Sequence, residues 1–366
     1  MPDPLDALET SRRLVGARLG AAVADVDDRL TTVGAERADL TRTAGDLLTG
    51  GKRLRAAFCV AGWAAAGGTS PADAEAAPVA AGAALELFQA AALVHDDVMD
   101  GSSTRRGRPA AHRRYAAVHG ERGWQGSADR FGEAAAILLG DLLLVMSFAE
   151  LAHAGRAVPG ASARRAQEVY DLMTAEVTLG QYVDMYAQAV PWDDADAVDR
   201  DRAHRVVRAK SARYSVEHPV VLGAALASAG EEILTALSAF GLPVGEAFQL
   251  RDDLLGVFGD PLVTGKPAGD DLREGKRTVL LAIARERADA AGLAVLRAGI
   301  GRADLDLAGI DAIREVLVDT GAVRAVEDLI EERTEAGFKA LRAAGLEPEA
   351  EATLAALARL AVDRQA

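Results

Sequence analysis

Apolar residues recur at helical spacing along most of the chain, and strand-like alternation is scarce. Alanine, leucine and arginine are abundant, and all three favour helices. No segment pair carries an Asn-Gly hairpin signal, so we predict no strand pair. Glycine and proline separate the predicted helices, and polar stretches between them are predicted loops. The main helices are expected at about 52–66, 131–153, 162–188, 196–228 and 231–258, and the loops at 101–114, 119–130 and 259–275.

The domain organisation is predicted from the length of the chain and from its repeats and linkers. The chain has 366 residues, of which 50% are hydrophobic, so a large buried core is available. It has no repeat of fixed period and no long linker rich in proline or serine. We therefore predict an all-α fold with one domain over residues 11–366, preceded by a flexible tail at residues 1–10.

Charge and cysteine content exclude several classes. The net charge is −14, from 55 acidic and 41 basic residues, which argues against a nucleic-acid binder. Cys59 is the single cysteine, so an intramolecular disulfide is impossible and a reducing, cytoplasmic compartment is expected. The start of the chain is polar and acidic, unlike a secretory signal. Glu86 and Gln89 interrupt the apolar run 76–94, so we predict a buried core helix there and no membrane span.

A first aspartate cluster closes that apolar helix. Asp96 and Asp100 are four residues apart, so they lie on one helical face, and Asp97 lies beside them. Three carboxylates at a helix C-terminus repel one another and the negative end of the helix dipole, so a cation should compensate. Mg²⁺, which prefers oxygen ligands, is a natural candidate. A solvated helix end would show the same short pattern, but the apolar residues 90–94 before it favour a site.

A second cluster, Asp252 and Asp253, follows about 150 residues later on another predicted helix. The two clusters could face each other across a cavity and hold several Mg²⁺ ions, which usually bind a few carboxylates together with substrate phosphates. Metal ions on diphosphate oxygens would stabilise the charge that develops as the diphosphate leaves.

Basic residues accompany both clusters. Lys52 and Arg55 follow the glycine pair 50–51, where backbone can approach an anion closely and a helix N-terminus attracts one. Arg105 and Arg106 follow the first cluster, and arginine suits bidentate phosphate contact. Two lysines, Lys266 and Lys276, follow the second cluster. The alternatives are an exposed basic turn, a surface loop and a linker.

Together these motifs resemble the trans-isoprenyl diphosphate synthase family. The sequences GGKRLR, DDVMD followed by RRG, GQ..D, QLRDD and TGK occur in this order over residues 50–278. The resemblance implies a bundle of antiparallel helices around a central cavity, usually a homodimer. It also implies a Mg²⁺-dependent prenyltransferase that joins dimethylallyl, geranyl or farnesyl diphosphate to isopentenyl diphosphate.

The resemblance also implies a role for each matching residue. Three Mg²⁺ ions per site would be held by the metal ligands Asp96, Asp97, Asp100, Asp252 and Asp253. Allylic diphosphate would be bound by Arg105, Lys210 and Lys266, and isopentenyl diphosphate by Lys52, Arg55, Gln89 and Arg106. Ser211 would lie near the forming carbocation together with Lys210. Gln249 would lie beside the second motif, and Lys276 would be one of the substrate-binding residues. The inner wall of the cavity would include Gln181 and Asp184. The implied catalytic set is Asp96, Asp97, Asp100, Arg105, Lys210 and Asp252. Loss of the allylic diphosphate would leave a cation, the isopentenyl double bond would attack it, and the departing diphosphate would take the proton.

The second motif departs from the family pattern. Its third position, usually aspartate, is Gly256. Asp260 lies one turn further on and could compensate only if the helix continues to it.

Product length should depend on the helix before the first aspartates. In the family, bulky aromatics four and five residues before the first aspartate stop growth at fifteen carbons. Those positions are Ala92 and Ala91 here, and Phe88 lies one turn deeper, about 5.4 Å further and roughly one isoprene unit. We therefore predict a floor at Phe88 and a twenty-carbon product, geranylgeranyl diphosphate. Alternatively, Phe88 is plain core and another helix sets the floor.

Four rival functions remain at this point. The product could be farnesyl or a longer polyprenyl diphosphate. A class I terpene cyclase would not need Lys52, Arg55 and Arg106 for a second diphosphate. A catalytically silent subunit of a heteromeric synthase would fit Gly256, although such subunits tend to lose the first aspartates or the arginine pair.

Overall fold

Helices make up nearly all of the computed structural model, which describes residues 4–192, 198–260 and 269–363. The first half contains α1 (Pro4–Arg29), α2 (Arg37–Leu47), α3 (Leu54–Ala65), α4 (Ala77–Met99), a hairpin of β1 (Thr104–Arg105) and β2 (Arg108–Pro109), α5 (Ala111–Glu121), α6 (Ala128–Arg156) and α7 (Gly160–Ala189). The second half contains α8 (Arg200–Val206), a π-helical segment (Val207–Glu217), α9 (His218–Leu226), α10 (Glu231–Phe258), α11 (Asp270–Glu274), α12 (Val279–Arg287), α13 (Ala290–Gly299), α14 (Leu307–Asp319), α15 (Ala322–Ala343) and α16 (Pro348–Val362). The all-α prediction is confirmed.

The predicted loops differ from the structure in three places. Residues 101–114 contain the β1–β2 hairpin, so the prediction of no strand pair was wrong. Its turn is formed by Arg106 and Gly107, both in the left-handed region with φ of 53° and 71°, and arginine is a rare residue there. Helix α5 covers the end of the first predicted loop and the start of the second, and α11 lies within the third predicted loop.

Two compact units make up the chain. The first unit consists of Met1–Tyr170, His218–Ser238 and Ala344–Leu357, and the second of Asp171–Glu217, Ala239–Ala343 and Ala358–Ala366. The single-domain assignment stays a prediction. Helix α1 begins at Pro4, inside the segment 1–10 expected to be a flexible tail, and the flexibility of that segment stays a prediction too.

The core of the first unit surrounds α4. This helix packs against α6, α3 and α1, and its central side chains are almost fully buried. Helices α3 and α9 approach at backbone distance, because a Cβ on Gly62 would lie 2.0 Å from the Val220 carbonyl oxygen. A Cβ on Gly223 would lie 1.8 Å from the Cys59 carbonyl oxygen. Glycine at these two positions is therefore required by the packing.

The core of the second unit forms around α12. The first six residues of this helix, 279–284, are all buried. Helix α12 packs against α15, which buries a stripe that includes Val326 and Ile330. Thr278 caps α12 by accepting a hydrogen bond from the Leu281 N–H at 3.3 Å.

Among the residues that the structure describes, three helices are long and apolar enough, by length and composition alone, to cross a membrane: α4, α6 and α10. The sequence argument had found no apolar run long and charge-free enough to span a bilayer, and had taken the region of α4 as the nearest to one. In α4, 78% of the most apolar stretch is buried inside the protein. The absence of a membrane span stays a prediction.

Candidate active site

The first aspartate cluster lies on the last turn of α4, where the helix is closed by a glycine. Gly101 adopts the left-handed conformation with φ of 67°. The Asp100 N–H donates to the Asp96 carbonyl at 2.8 Å, and the Ser102 N–H donates to the Asp97 carbonyl at 3.0 Å. This ending follows the usual glycine stop of helices. It holds the three carboxylates at the C-terminal end of a buried apolar helix.

Arg105 on β1 provides a compensating cation for these acids. Its Nε donates to Asp97 Oδ1 at 2.8 Å, and its Nη2 makes a second, shorter contact with the same oxygen. The Nη2 atom also lies 3.7 Å from Asp96 Oδ2. Asp97 is only 3% exposed, whereas Asp96 and Asp100 are more accessible. Asp97 therefore supports the arginine, while Asp96 and Asp100 are better placed to meet a ligand.

The neighbouring Arg106 is directed elsewhere, to the turn before α3. A Cβ placed on Gly51 would lie 3.6 Å from Arg106 Nη1. Gly50 and Gly51 have φ of 76° and 80°, a conformation that glycine adopts without strain. Lys52 is exposed and precedes α3, which begins at Leu54, so the expectation that it lies on the first helical turn was wrong. The glycine turn and Arg106 form a separate basic group.

Glu86 lies beside these basic residues, and the sequence analysis did not include it among the site residues. The Ala56 N–H at the start of α3 donates to Glu86 Oε1 at 3.4 Å. Desolvation raises the pKa of Glu86, while the positive charges of Arg55 and Arg53 oppose the shift. An acidic residue inside an apolar helix is the signal that could have found it, because such residues are rarely buried without partners. Gln89 is half-buried one turn further along α4.

The second unit joins two residues that the sequence placed apart. Lys210 Nζ donates to Asp184 Oδ2 at 2.7 Å, and Asp184 is buried. Lys210 and the half-buried Ser211 lie in the π-helical segment, and such segments occur frequently at functional sites. A Cβ on Gly180 would lie 2.6 Å from the Lys210 nitrogen, so glycine permits this approach. Gln181 is half-buried beside it.

The second aspartate cluster contains two different carboxyls. Asp252 is exposed, whereas Asp253 is buried and accepts a 2.7 Å hydrogen bond from Gln249 Nε2. Burial raises the pKa of Asp253 well above its usual range, although the Gln249 hydrogen bond opposes this. Asp252 is the better metal ligand of the two by its exposure.

Lys276, the second predicted lysine of this region, follows α11. Its Nζ lies 3.1 Å from Asp271 Oδ1 and 2.7 Å from Glu274 Oε2. Lys266 lies outside the described residues. Helix α10 ends at Phe258, so Asp260 is not on the helix and the condition for its compensating role is not met.

Comparison with known proteins decides the family. The model of the polyprenyl synthetase family matches residues 38–317. The chain belongs to this family. It is 35% identical to a geranylgeranyl diphosphate synthase of Mycobacterium tuberculosis over 78% of this chain and 73% of that protein. It is 35% identical to a geranylfarnesyl diphosphate synthase of Aeropyrum pernix over 75% of this chain and 77% of that one.

Solved structures agree with this assignment. The structure of a Corynebacterium glutamicum geranylgeranyl pyrophosphate synthase, complexed with isoprenyl diphosphate and magnesium, matches with a TM-score of 0.91 and 37% identity. The match covers 98% of this chain and 99% of that one. This polyprenyl synthetase therefore has the isoprenoid synthase fold and is a trans-prenyltransferase, as the motifs predicted. The cyclase and silent-subunit alternatives are not favoured.

The donor set of this polyprenyl synthetase fits Mg²⁺ bound together with a substrate. Among the residues that the structure describes, no three histidine, cysteine, aspartate or glutamate side chains are grouped so as to hold a metal ion by themselves. Each unit by itself offers accessible carboxylates, Asp96 and Asp100 on α4 of the first and Asp252 on α10 of the second. Mg²⁺ keeps several waters and binds one or two carboxylates plus substrate phosphates, so such a set suits it. The expectation that the two clusters face each other stays a prediction.

Eight residues before Asp96 on α4, Phe88 belongs to a buried aromatic group. The Phe88 ring is buried, and its centroid lies 6.3 Å from that of Tyr170 in an edge-to-face arrangement. Tyr170 also contacts Phe148 at 5.6 Å, and its hydroxyl donates to the Ala84 carbonyl at 3.1 Å. Phe88 is therefore packed within the first unit, and its role as the product floor stays a prediction.

Proposed function

We propose that this polyprenyl synthetase condenses dimethylallyl, geranyl or farnesyl diphosphate with isopentenyl diphosphate and releases geranylgeranyl diphosphate. The observation that carries the proposal is the divergence of two adjacent arginines. Arg105 contacts the aspartates of α4, and Arg106 lies at the glycine turn before α3. One arginine is thus available to each of two diphosphates, and a synthase binds two.

In the proposed reaction, Asp96, Asp100 and Asp252 would hold Mg²⁺, and the allylic diphosphate would bind to it. When bound, Mg²⁺ supplies positive charge at the diphosphate oxygens and so favours departure of the diphosphate. Arg105 adds a fixed positive charge that Asp97 keeps in place. Asp184 orients the Lys210 ammonium, which would approach the same diphosphate.

The isopentenyl diphosphate would bind Arg106, Lys52 and Arg55. The positive charges of Arg55 and Arg106 oppose the raised pKa of Glu86, so an ionised Glu86 would limit the mutual repulsion of these arginines before the anion arrives. The apolar residues of α4 exclude water from the forming carbocation, which water would otherwise quench. The departing diphosphate would take the proton, because it carries acceptor oxygens next to the new double bond.

We further propose a homodimer in the cytoplasm. Helix α6 exposes large apolar side chains on one stripe, including Leu138 at 58% and Val145 at 66% exposure. Such a stripe is costly in water and typical of a covered interface. Light scattering on the purified chain tests this directly, and Val145→Asp should shift a dimer toward the monomer. The compartment is supported by the single, buried, free Cys59.

A pyrophosphate-release assay tests the proposed function. The purified chain is incubated with farnesyl diphosphate, isopentenyl diphosphate and Mg²⁺, with EDTA and Asp96→Asn as controls. Release that depends on both substrates and on metal supports condensation. Release from farnesyl diphosphate alone would favour a cyclase, and no release with any primer would favour a silent subunit.

A further inference from the structure

Gly256 has no room for a side chain. A Cβ at this position would lie 1.9 Å from Asp271 Oδ2, 2.6 Å from Asp271 Cγ and 3.4 Å from Asp271 Oδ1. These are the three atoms nearest to it, and all belong to one carboxylate. The Asp271 carboxylate therefore occupies the volume that the third aspartate of the second motif would need.

Asp271 is held firmly in this position. It lies in α11, which is bounded by Gly269 and Gly275 with φ of 68° and 78°. Its side chain is 12% exposed, and its Oδ1 pairs with Lys276 Nζ at 3.1 Å. One carboxylate oxygen thus meets the lysine while the other lies against Gly256.

The charge of Asp271 also acts on the second motif. Burial is the main cause of the raised pKa of Asp253, and the negative charges of Asp271 and Asp252 add to it. Asp260, the other possible substitute for the third aspartate, is excluded from the helix because α10 ends at Phe258.

We propose that Asp271 is a positioning residue that takes the place of the third aspartate of the second motif, and that Gly256 is glycine because Asp271 fills its side-chain volume. The proposal rests on the proposed function, since it refines how the second motif holds a metal-bound diphosphate. It has an unusual consequence. Restoring the family aspartate at position 256 should damage the site rather than improve it.

Thermal unfolding titrated with Mg²⁺ and inorganic diphosphate tests this in the full chain. The variants are Gly256→Asp, Asp271→Ala and the two combined, since Asp271→Ala removes all three crowding atoms. Gly256→Asp with Asp271→Asn is the matched control, because asparagine keeps the crowding volume. Gly20→Asp on α1, where a Cβ meets nothing within 4 Å, controls for aspartate in a helix.

We expect Asp271→Ala to raise the ligand concentration at the titration midpoint about ten- to a hundredfold, the usual effect of losing a supporting residue at a metal site. Gly256→Asp should do the same and also lower the melting temperature without ligand. The combination with Asp271→Ala should return the midpoint close to wild type, while that with Asp271→Asn should not.

The proposal is overturned if the combined Gly256→Asp and Asp271→Ala variant is no better than Asp271→Ala alone. It is also overturned if Asp271→Ala lowers the melting temperature but leaves the midpoint unchanged, because Asp271 would then only anchor α11. A wild-type chain that does not respond to Mg²⁺ and diphosphate overturns it as well. A wild type that responds but transfers no prenyl group contradicts the proposed function instead, and the variant midpoints still decide this proposal.

Discussion

Replacing Phe88 with alanine should lengthen the product by at least one isoprene unit. Phe88 lies eight residues before Asp96, which is about 12 Å along the helix. Beneath it on the same face are Ala84 and Ala81, both fully buried and both small. Removal of the ring therefore opens about 6 Å of further path, one helical turn, before Tyr170 limits growth. One turn corresponds to roughly one isoprene unit.

The stability cost of Phe88→Ala must be separated from its effect on length. Loss of a buried phenylalanine costs about 3–5 kcal/mol, a total that includes the edge contact with Tyr170. Phe58→Ala on α3 removes an equally buried ring and is the control, with product length expected to stay unchanged. The converse change, Ala92→Phe, should stop growth at fifteen carbons.

The assay is chain-length analysis of products made from farnesyl diphosphate and labelled isopentenyl diphosphate. The variant that combines Ala92→Phe with Phe88→Ala should make the fifteen-carbon product, using geranyl diphosphate as primer, because the obstacle nearer the aspartates decides. If Phe88→Ala retains activity and its products have the wild-type length, Phe88 is core alone and the floor argument fails.

Three further changes probe the packing and the charges. Arg105→Gln should lower the free energy of unfolding by about 3 kcal/mol in urea titrations, since it removes the positive charge that pairs with the buried Asp97; an unchanged value would contradict the pairing. Burial raises the pKa of Cys59 to about 12, so a disulfide reagent at pH 8 should label it only after unfolding. Fast labelling of the native chain would refute this burial. Gly62→Ala should lower the free energy of unfolding by about 2 kcal/mol through overpacking. Gly20→Ala should instead raise the free energy of unfolding by about 0.5–1 kcal/mol.

The sequence was informative where chemistry lies within one helix or one turn. The sequence predicted that the aspartates of α4 lie near the arginines that follow them, because a short sequence separation is enough to bring such residues together. Arg105, which the sequence had assigned to substrate, also pairs with Asp97 and so supplies one positive charge beside these aspartates, where a metal ion is still expected. The pairing of Lys210 with Asp184 could not be predicted, because it joins residues on different helices.

Two features carried no readable sequence signal. The β1–β2 turn uses arginine at positive φ, which propensity arguments disfavour. The contact between Gly256 and Asp271 crosses fifteen positions of sequence, so the missing aspartate was read as a possible loss of activity. In the structure, the Asp271 carboxylate of a later segment of the same unit lies where the side chain of residue 256 would be.

The central claim is that this chain alone is a geranylgeranyl diphosphate synthase. The most direct measurement is the chain length of the product that the purified wild type makes from labelled isopentenyl diphosphate and each allylic primer with Mg²⁺. A dominant twenty-carbon product from dimethylallyl, geranyl and farnesyl diphosphate is predicted. A dominant twenty-five-carbon product would keep the family and contradict the floor at Phe88, and no incorporation with any primer would contradict the claim itself.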